Sequence, residues 1–144
     1  IASWPGIVKE GTIETKTICH TDFMATCADM LNEKIPAGQG IDSYSLLPLL
    51  LKKNKDEYKR PYTIHHSSEG FFAIRKDQWK LILTGNSGGG LIPSKPEIFD
   101  EKEVPIQLYN LAEDPTEKNN LYLKYPKKVN VLTKLFQEAI QKNK

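Results

Sequence analysis

Between residues 62 and 84, YTIHHSSEGFFAIRKDQWKLILT, apolar and polar side chains alternate and are interrupted twice by turn residues. Ile64, Phe72, Ile74, Trp79, Leu81 and Leu83 fit a period of two, the spacing of half-buried strands. Glu69-Gly70 offers one reversal, since glycine takes positive φ without a Cβ clash, and Lys76-Asp77 offers another. The pattern predicts a three-strand antiparallel meander at residues 63–68, 71–75 and 78–84, with an apolar face that needs a cover. A fourth strand is predicted at residues 106–111, IQLYNL. After the turn-rich AEDPTEKNN, where Asp114-Pro115 favours a reversal, Pro126 can open a last helix, because a first turn does not use its missing N–H. Val129, Leu132, Phe136 and Ala139/Ile140 make one stripe on that helix, wide enough to lie across the meander.

The first third of the chain reads differently. In HTDFMATCADMLNEK, Phe23, Cys27, Met30 and Leu31 fall at i, i+4, i+7 and i+8, and Met24 widens the face. This spacing predicts an amphipathic helix with that face inward. Thr21 is its expected N-cap, Asp22 sits where the helix dipole favours an acid, and the end falls near residues 32–34. Asp42 or Ser43 can cap a short second helix reaching Leu51, with Pro48 limiting or kinking it. Residues 1–4 read as the end of a strand stopped by Pro5-Gly6, so the chain opens like a piece of something longer. The lysine-rich KKNKDEYKR at residues 52–60 reads as an exposed linker, and residues 85–105 as a long surface excursion. The fold class expected is α+β: a small antiparallel sheet of about four strands against a C-terminal helix.

Composition narrows the classes. At 144 residues the chain can form one ordinary domain, or a small domain plus part of another. A net charge of +2 with scattered lysines argues against a dedicated nucleic-acid surface, which concentrates charge on one face. The longest apolar run, residues 46–51, is too short to cross a bilayer. The opening IASWPGIV has neither the basic region nor the apolar core of a signal peptide. Cys19 and Cys27 stand in a C-x7-C spacing that matches no zinc or thioredoxin pattern, and read as unpaired buried thiols.

Candidate chemistry is sparse. His65 and His66 are adjacent, so in a strand they point to opposite faces and cannot easily share a metal. Either one is solvated and the other hydrogen-bonded, or one reaches a ligand; His66, followed by Ser67-Ser68 at a strand end, is the better candidate. His20 reads as a capping histidine, Lys80 as solvent-facing, and Arg75 as a cross-strand partner of a carboxylate. Gly88-Gly89-Gly90 lacks the Lys-Ser/Thr of a phosphate loop, and no G-x-S-x-G elbow occurs.

Several stretches together resemble the C-terminal end of the sulfatase family, the arylsulfatase type related to alkaline phosphatase. They are SWPGIVKEGT, ICHTDFMATCADML, GIDSYSLLPLL, HHSSEGFFAIRKDQWKLIL and QLYNLAEDPTEKNNL, in family order over nearly the whole chain. Ala25, Asp77 and Asn110 depart mildly from the pattern, at positions that carry no catalysis.

The resemblance implies that residues 1–52 finish a large α/β domain, residues 53–60 link, and residues 61–144 form the C-terminal subdomain. It implies that the full-length protein hydrolyses sulfate esters with a formylglycine nucleophile and a Ca²⁺ ion that stabilises charge on the sulfate oxygens. The Cys/Ser-x-Pro-x-Arg motif that yields formylglycine is missing: Ser3-Trp4-Pro5-Gly6-Ile7 and Ser94-Lys95-Pro96-Glu97-Ile98 carry Ile where Arg is needed. The expectation is therefore a C-terminal piece with no catalytic residue and no metal ligand of its own. The absent N-terminal domain would be its partner, and the interface left exposed would favour self-association. His65 and His66 are the candidate substrate-binding residues on a pocket rim, the substrate a sulfated small molecule or glycan. The compartment implied is extracytoplasmic (periplasmic, secreted or lysosomal), and no nucleic-acid or membrane partner is expected. A rival reading is a stand-alone interaction or carbohydrate-binding module using the HHS hairpin and Trp79.

Overall fold

In the computed structural model, which describes residues 1–51, 58–85 and 105–142, the period-two stretches become strands. They are β1 (Thr63–His66), β2 (Phe72–Lys76), β3 (Trp79–Ile82) and β4 (Gln107–Asn110), each paired antiparallel with the next in the order β1-β2-β3-β4. Gly70, at φ 83°, takes the positive-φ position in the first hairpin loop, as the sequence predicts. The second turn is tight: Lys76 pairs with Trp79, and Asp77 adopts φ 53° between them. Aspartate tolerates this left-handed region better than most residues.

The sheet belongs to the second of two units, Tyr62–Lys144. Its core is set by register. Ile64, Ile74, Leu81 and Leu108 stand opposite one another across the four strands, one continuous apolar row. The last helix, α3 (Pro126–Lys142), begins at Pro126 and lays Val129, Leu132 and Phe136 on that row. Ala139 is buried on the same stripe, and Ile140 lies at its exposed margin. This is the expected α+β arrangement, a four-strand antiparallel sheet under a C-terminal helix.

β4 is an edge strand, yet all four of its residues are buried. The Asn120 side chain takes the place of a fifth strand. Its Oδ1 accepts from the Leu108 N–H at 3.0 Å and its Nδ2 donates to the Ile106 carbonyl at 3.3 Å. The Leu121 N–H adds a bond to the Leu108 carbonyl at 2.8 Å. The outer edge is thereby closed against further pairing.

The first unit, Ile1–Pro61, departs from expectation in several places. Residues 1–4 form no strand; a strand needs a neighbour for its backbone groups, and the Trp4 carbonyl instead accepts from Ile7 and Val8 in the turn at Pro5-Gly6. The first helix, α1, is Asp22–Met30. Its end is a Schellman motif: Asn32 at φ 56°, Glu33 N–H on the Ala28 carbonyl and Asn32 N–H on Asp29. Thr21 makes no side-chain cap; its hydroxyl donates to the Asp42 carbonyl.

The face of α1 is inverted relative to the periodicity. Asp22 and Thr26 are its buried residues. Phe23, Met24, Met30 and Leu31, expected inward, are 59%, 44%, 45% and 72% exposed. Cys27, expected buried, is exposed on the same side, and Cys19 is half-buried; both are free thiols. The second helix, α2 (Leu47–Leu51), begins later than expected, with Pro48 in its first turn. Leu46, Leu49 and Tyr58 make the small apolar cluster of this unit. The stretch expected as an exposed linker is folded in at its C-terminal end, where Tyr58 is buried; residues 52–57 lie outside the described residues.

Candidate functional site

Strand parity separates the two histidines. Ile64 and His66 share the face covered by α3, and Thr63 and His65 share the other. The His66 ring packs edge-on to Phe72, centroids 6.0 Å apart, and Phe72 meets Phe136 of α3 at 5.6 Å. His66 Nδ1 lies 2.8 Å from the Ser67 carbonyl oxygen, so that nitrogen carries the proton. The favoured candidate of the sequence is thus held at the rim of the hydrophobic core.

His65 points to the opposite face, where two cross-strand rows lie. One is Thr63, Arg75, Lys80 and Tyr109, the other His65, Ala73, Ile82 and Gln107. Most polar groups on this face are occupied. Lys80 donates to both carboxylate oxygens of Glu117, at 2.7 and 2.9 Å. Its side chain is only 18% exposed, which corrects the solvent-facing expectation. Tyr109 donates its hydroxyl to Gln107 Oε1 at 2.7 Å, and Gln107 Nε2 donates to the Thr84 carbonyl at 2.8 Å. Burial pushes the Tyr109 phenol up to about 12. Arg75 donates from Nε to the Asp77 carbonyl rather than to a carboxylate. Neither ring nitrogen of His65 has a hydrogen-bond partner among the described residues. Burial, and then the Lys80 charge, hold its pKa below the ordinary histidine value, against a smaller opposing effect of Glu117.

Sequence reasoning missed the Lys80–Glu117 pair, whose signal was the D-P-x-E spacing after β4. Glu117, at φ 55°, turns its carboxylate back over the sheet. It missed as well the polar hub of the first unit. Asp22 is fully buried and accepts from the Cys19 N–H at 2.8 Å, the Tyr44 N–H at 3.1 Å and the Arg60 guanidinium. Thr26 links the same hub to Leu46, its hydroxyl donating to the Asp22 carbonyl and accepting from the Leu46 N–H. Arg60 also donates to the Tyr58 hydroxyl at 3.2 Å and lies 4.7 Å over the Tyr44 ring. His20 stacks on Phe23.

Among the described residues no three His, Cys, Asp or Glu side chains come together as a metal-holding group. The buried carboxylate, Asp22, is engaged by Arg60 and two backbone donors, so these residues do not fit the Ca²⁺ ion that the resemblance implies for a whole enzyme. Gly88-Gly89-Gly90 and most of residues 85–105 lie outside the described residues.

Comparison with known proteins gives the class first. The chain is 31% identical, over 96% of its length, to an N-acetylgalactosamine-6-O-sulfatase of Bacteroides thetaiotaomicron. It is 31% identical, over 94% of its length, to the arylsulfatase K of Gallus gallus. It is a C-terminal sulfatase region. It belongs to the family described as N-sulphoglucosamine sulphohydrolase, C-terminal, which matches residues 1–144. The chain spans about a quarter of the length of these relatives, 26% and 24%.

Solved structures agree on the fold. A protein from work on glycosaminoglycan metabolism by Bacteroides thetaiotaomicron superposes with a TM-score of 0.62 at 30% identity, over 82% of this chain and 24% of that one. A second, solved with a neocarrahexaose, gives a TM-score of 0.67 over 98% of this chain and 28% of that one. At 19% identity it speaks for the fold alone.

Proposed function

We propose that the chain is the C-terminal portion of an enzyme that hydrolyses sulfate esters on sugars, and that it serves that enzyme by packing and by bordering the substrate pocket. The observation that carries this reading is similarity to sulfatases along nearly the whole chain, combined with coverage of only a quarter of their length. Residues 1–52 finish the larger α/β domain, residues 53–60 link, and residues 61–144 are the small subdomain. The exposed apolar side of α1 supports this division, since a soluble protein rarely leaves such a stripe uncovered. The formylglycine and the Ca²⁺ ion belong to the preceding part, which is this chain's partner. The chain contributes no group to bond-breaking and is inactive alone. Its compartment is extracytoplasmic, as expected of the family. On the rim, His65 replaces His66 as the substrate contact, because the His66 ring is already engaged by Ser67 and Phe72.

The test is sulfate release from a 6-sulfated N-acetylhexosamine. The protein read from the continuous frame upstream of residue 1 should release sulfate, and the 144-residue chain alone should release none and bind no Ca²⁺ tightly by calorimetry. Turnover by this chain alone, or a start codon immediately before residue 1, would overturn the reading.

A further inference from the structure

One stretch of the second unit departs from the charge balance of the chain. Residues 118–137 carry five lysines and no acid, whereas the whole chain has 20 basic and 18 acidic residues. Lys134 pairs with Glu138, but Lys118, Lys124, Lys127 and Lys128 make no ion pair among the described residues. The fold brings part of this charge to one end of the sheet. Lys76 and Trp79 are cross-strand neighbours at the tight β2–β3 turn, on the face that α3 covers. The Tyr125 ring, just before α3, meets Trp79 with centroids 5.4 Å apart. Lys128 Nζ lies 5.2 Å from the centre of the Trp79 ring, and Lys124 Nζ 5.5 Å from that of Tyr125. Lys127 and Lys76 are exposed beside them. His66 pairs with Phe72 at the other end of β2, four residues or about 13 Å away along the strand. We propose that this cluster of lysines and aromatic rings is a non-catalytic docking surface for a sulfated glycan chain, gripping sugar units remote from the ester that is hydrolysed. This rests on the reading of the chain as part of an enzyme acting on sulfated sugars, and it adds a second contact outside the pocket.

The physical case begins with charges placed where the fold gains nothing from them. Lys127 and Lys128 stand in the first turn of a 17-residue helix, where the helix dipole favours acids and no acid is present. Asp77, in the β2–β3 turn beside Lys76, pairs with no lysine among the described residues. An external anion supplies what the chain does not. A sulfate ester offers acceptors only and carries a fixed charge, so it is held by cations. Contact with the two rings restrains the Lys124 and Lys128 side chains, so less freedom is lost when a ligand binds. Tyr125 is 38% exposed and gives the C–H face of a pyranose a flat apolar surface. A nucleic acid fits less well. The cluster has no arginine, whose fork pairs with phosphate and with base edges, and Arg75 lies on the opposite face, bonded to the Asp77 carbonyl.

The test is binding of this chain to immobilised chondroitin 6-sulfate, with chemically desulfated chondroitin, duplex DNA and phosphatidylserine vesicles as comparison surfaces. The sulfated chain should be bound most tightly, and sodium sulfate at equal sulfate concentration should not displace the protein. The triple variant Lys124→Gln, Lys127→Gln, Lys128→Gln should bind at least about tenfold more weakly and with a shallower salt dependence, since fewer counterions are released. A control with the same loss of charge, Lys9→Gln, Lys16→Gln, Lys34→Gln, alters exposed lysines of the first unit and should keep wild-type affinity. Tyr125→Ala should weaken binding while leaving the salt slope unchanged, because it removes a contact without charge. The thermal midpoint of the first triple variant should not fall, because its lysines oppose the dipole of α3. Equal weakening in both triple variants would reduce the effect to net charge and overturn the proposal. So would tighter binding to DNA or vesicles, equal binding to the desulfated chain, or no binding at all. Sulfate release from a 6-sulfated N-acetylhexosamine by the whole protein is a separate measurement, so the sulfatase reading and the docking proposal can fail separately.

Discussion

A carboxylate in a helix's first turn is ordinary, but one wholly removed from water needs a partner for each lone pair it presents. Asp22 has them: two backbone N–H groups and the Arg60 guanidinium, whose side chain is only 7% exposed. Four segments of the first unit meet at this group, around Cys19, α1, Tyr44 and Arg60. Removing one member leaves the other charge buried and unpaired, which costs about 3–5 kcal/mol, more than the net gain of a typical surface pair. Asp22→Ala should therefore unfold the first unit selectively. Trp4 lies in that unit and Trp79 in the other, so variants with a single tryptophan can report each one. In urea, the Trp4 transition should move to much lower denaturant and the Trp79 transition should stay. Equal shifts of both would show that the hub does not act locally.

At the scale of elements, the second unit follows simple rules. Period-two patterning places one apolar row across four strands, and a 3.6-period stripe on α3 covers it. Its less expected device is the Asn120 side chain, which bonds the β4 backbone as another strand would. An amide can do this because it carries a donor and an acceptor in one plane, as a peptide does. Asn120→Ala would leave the Leu108 N–H and the Ile106 carbonyl unsatisfied, at roughly 1–3 kcal/mol for each group that stays buried. The expected outcome is a lower thermal midpoint for the second unit and faster amide exchange at Leu108. Unchanged protection there would refute a strand-like role for Asn120.

For the molecule as a whole, the notable property is where its apolar surface lies. Ile13, Ile18, Phe23, Met30, Leu31 and Ile41 of the first unit are all more than 40% exposed. Exposed apolar surface of this extent marks a site of contact, and no described helix is long and apolar enough to cross a membrane. In the absence of the rest of a sulfatase, copies of this chain should bury that surface against each other. Analytical ultracentrifugation should show mass rising with concentration, and the double variant Phe23→Ser, Leu31→Ser should sediment closer to a monomer. Because both side chains are exposed, these changes should cost little stability. A monomeric wild-type chain at high concentration would count against an interface on this face.

The three-strand meander, the existence of a fourth strand, the Gly70 turn and the α3 stripe were legible from residues alone, because each depends on a period or a local φ preference that neighbours in sequence dictate; that β4 pairs with β3 was decided by the tertiary structure. The sulfatase resemblance was legible for a related reason: its motifs lie at those turns, strand ends and caps. Beyond that pairing, what only the tertiary structure decided was which way things face. Periodicity reveals that α1 has an apolar and a polar side, but not that Asp22 and Thr26 would turn inward, since that choice depends on Arg60, which lies 38 residues from Asp22 in sequence. Alternation reveals that His65 and His66 diverge, but not which of them meets α3, because register in a sheet is fixed by contacts between strands and not within one.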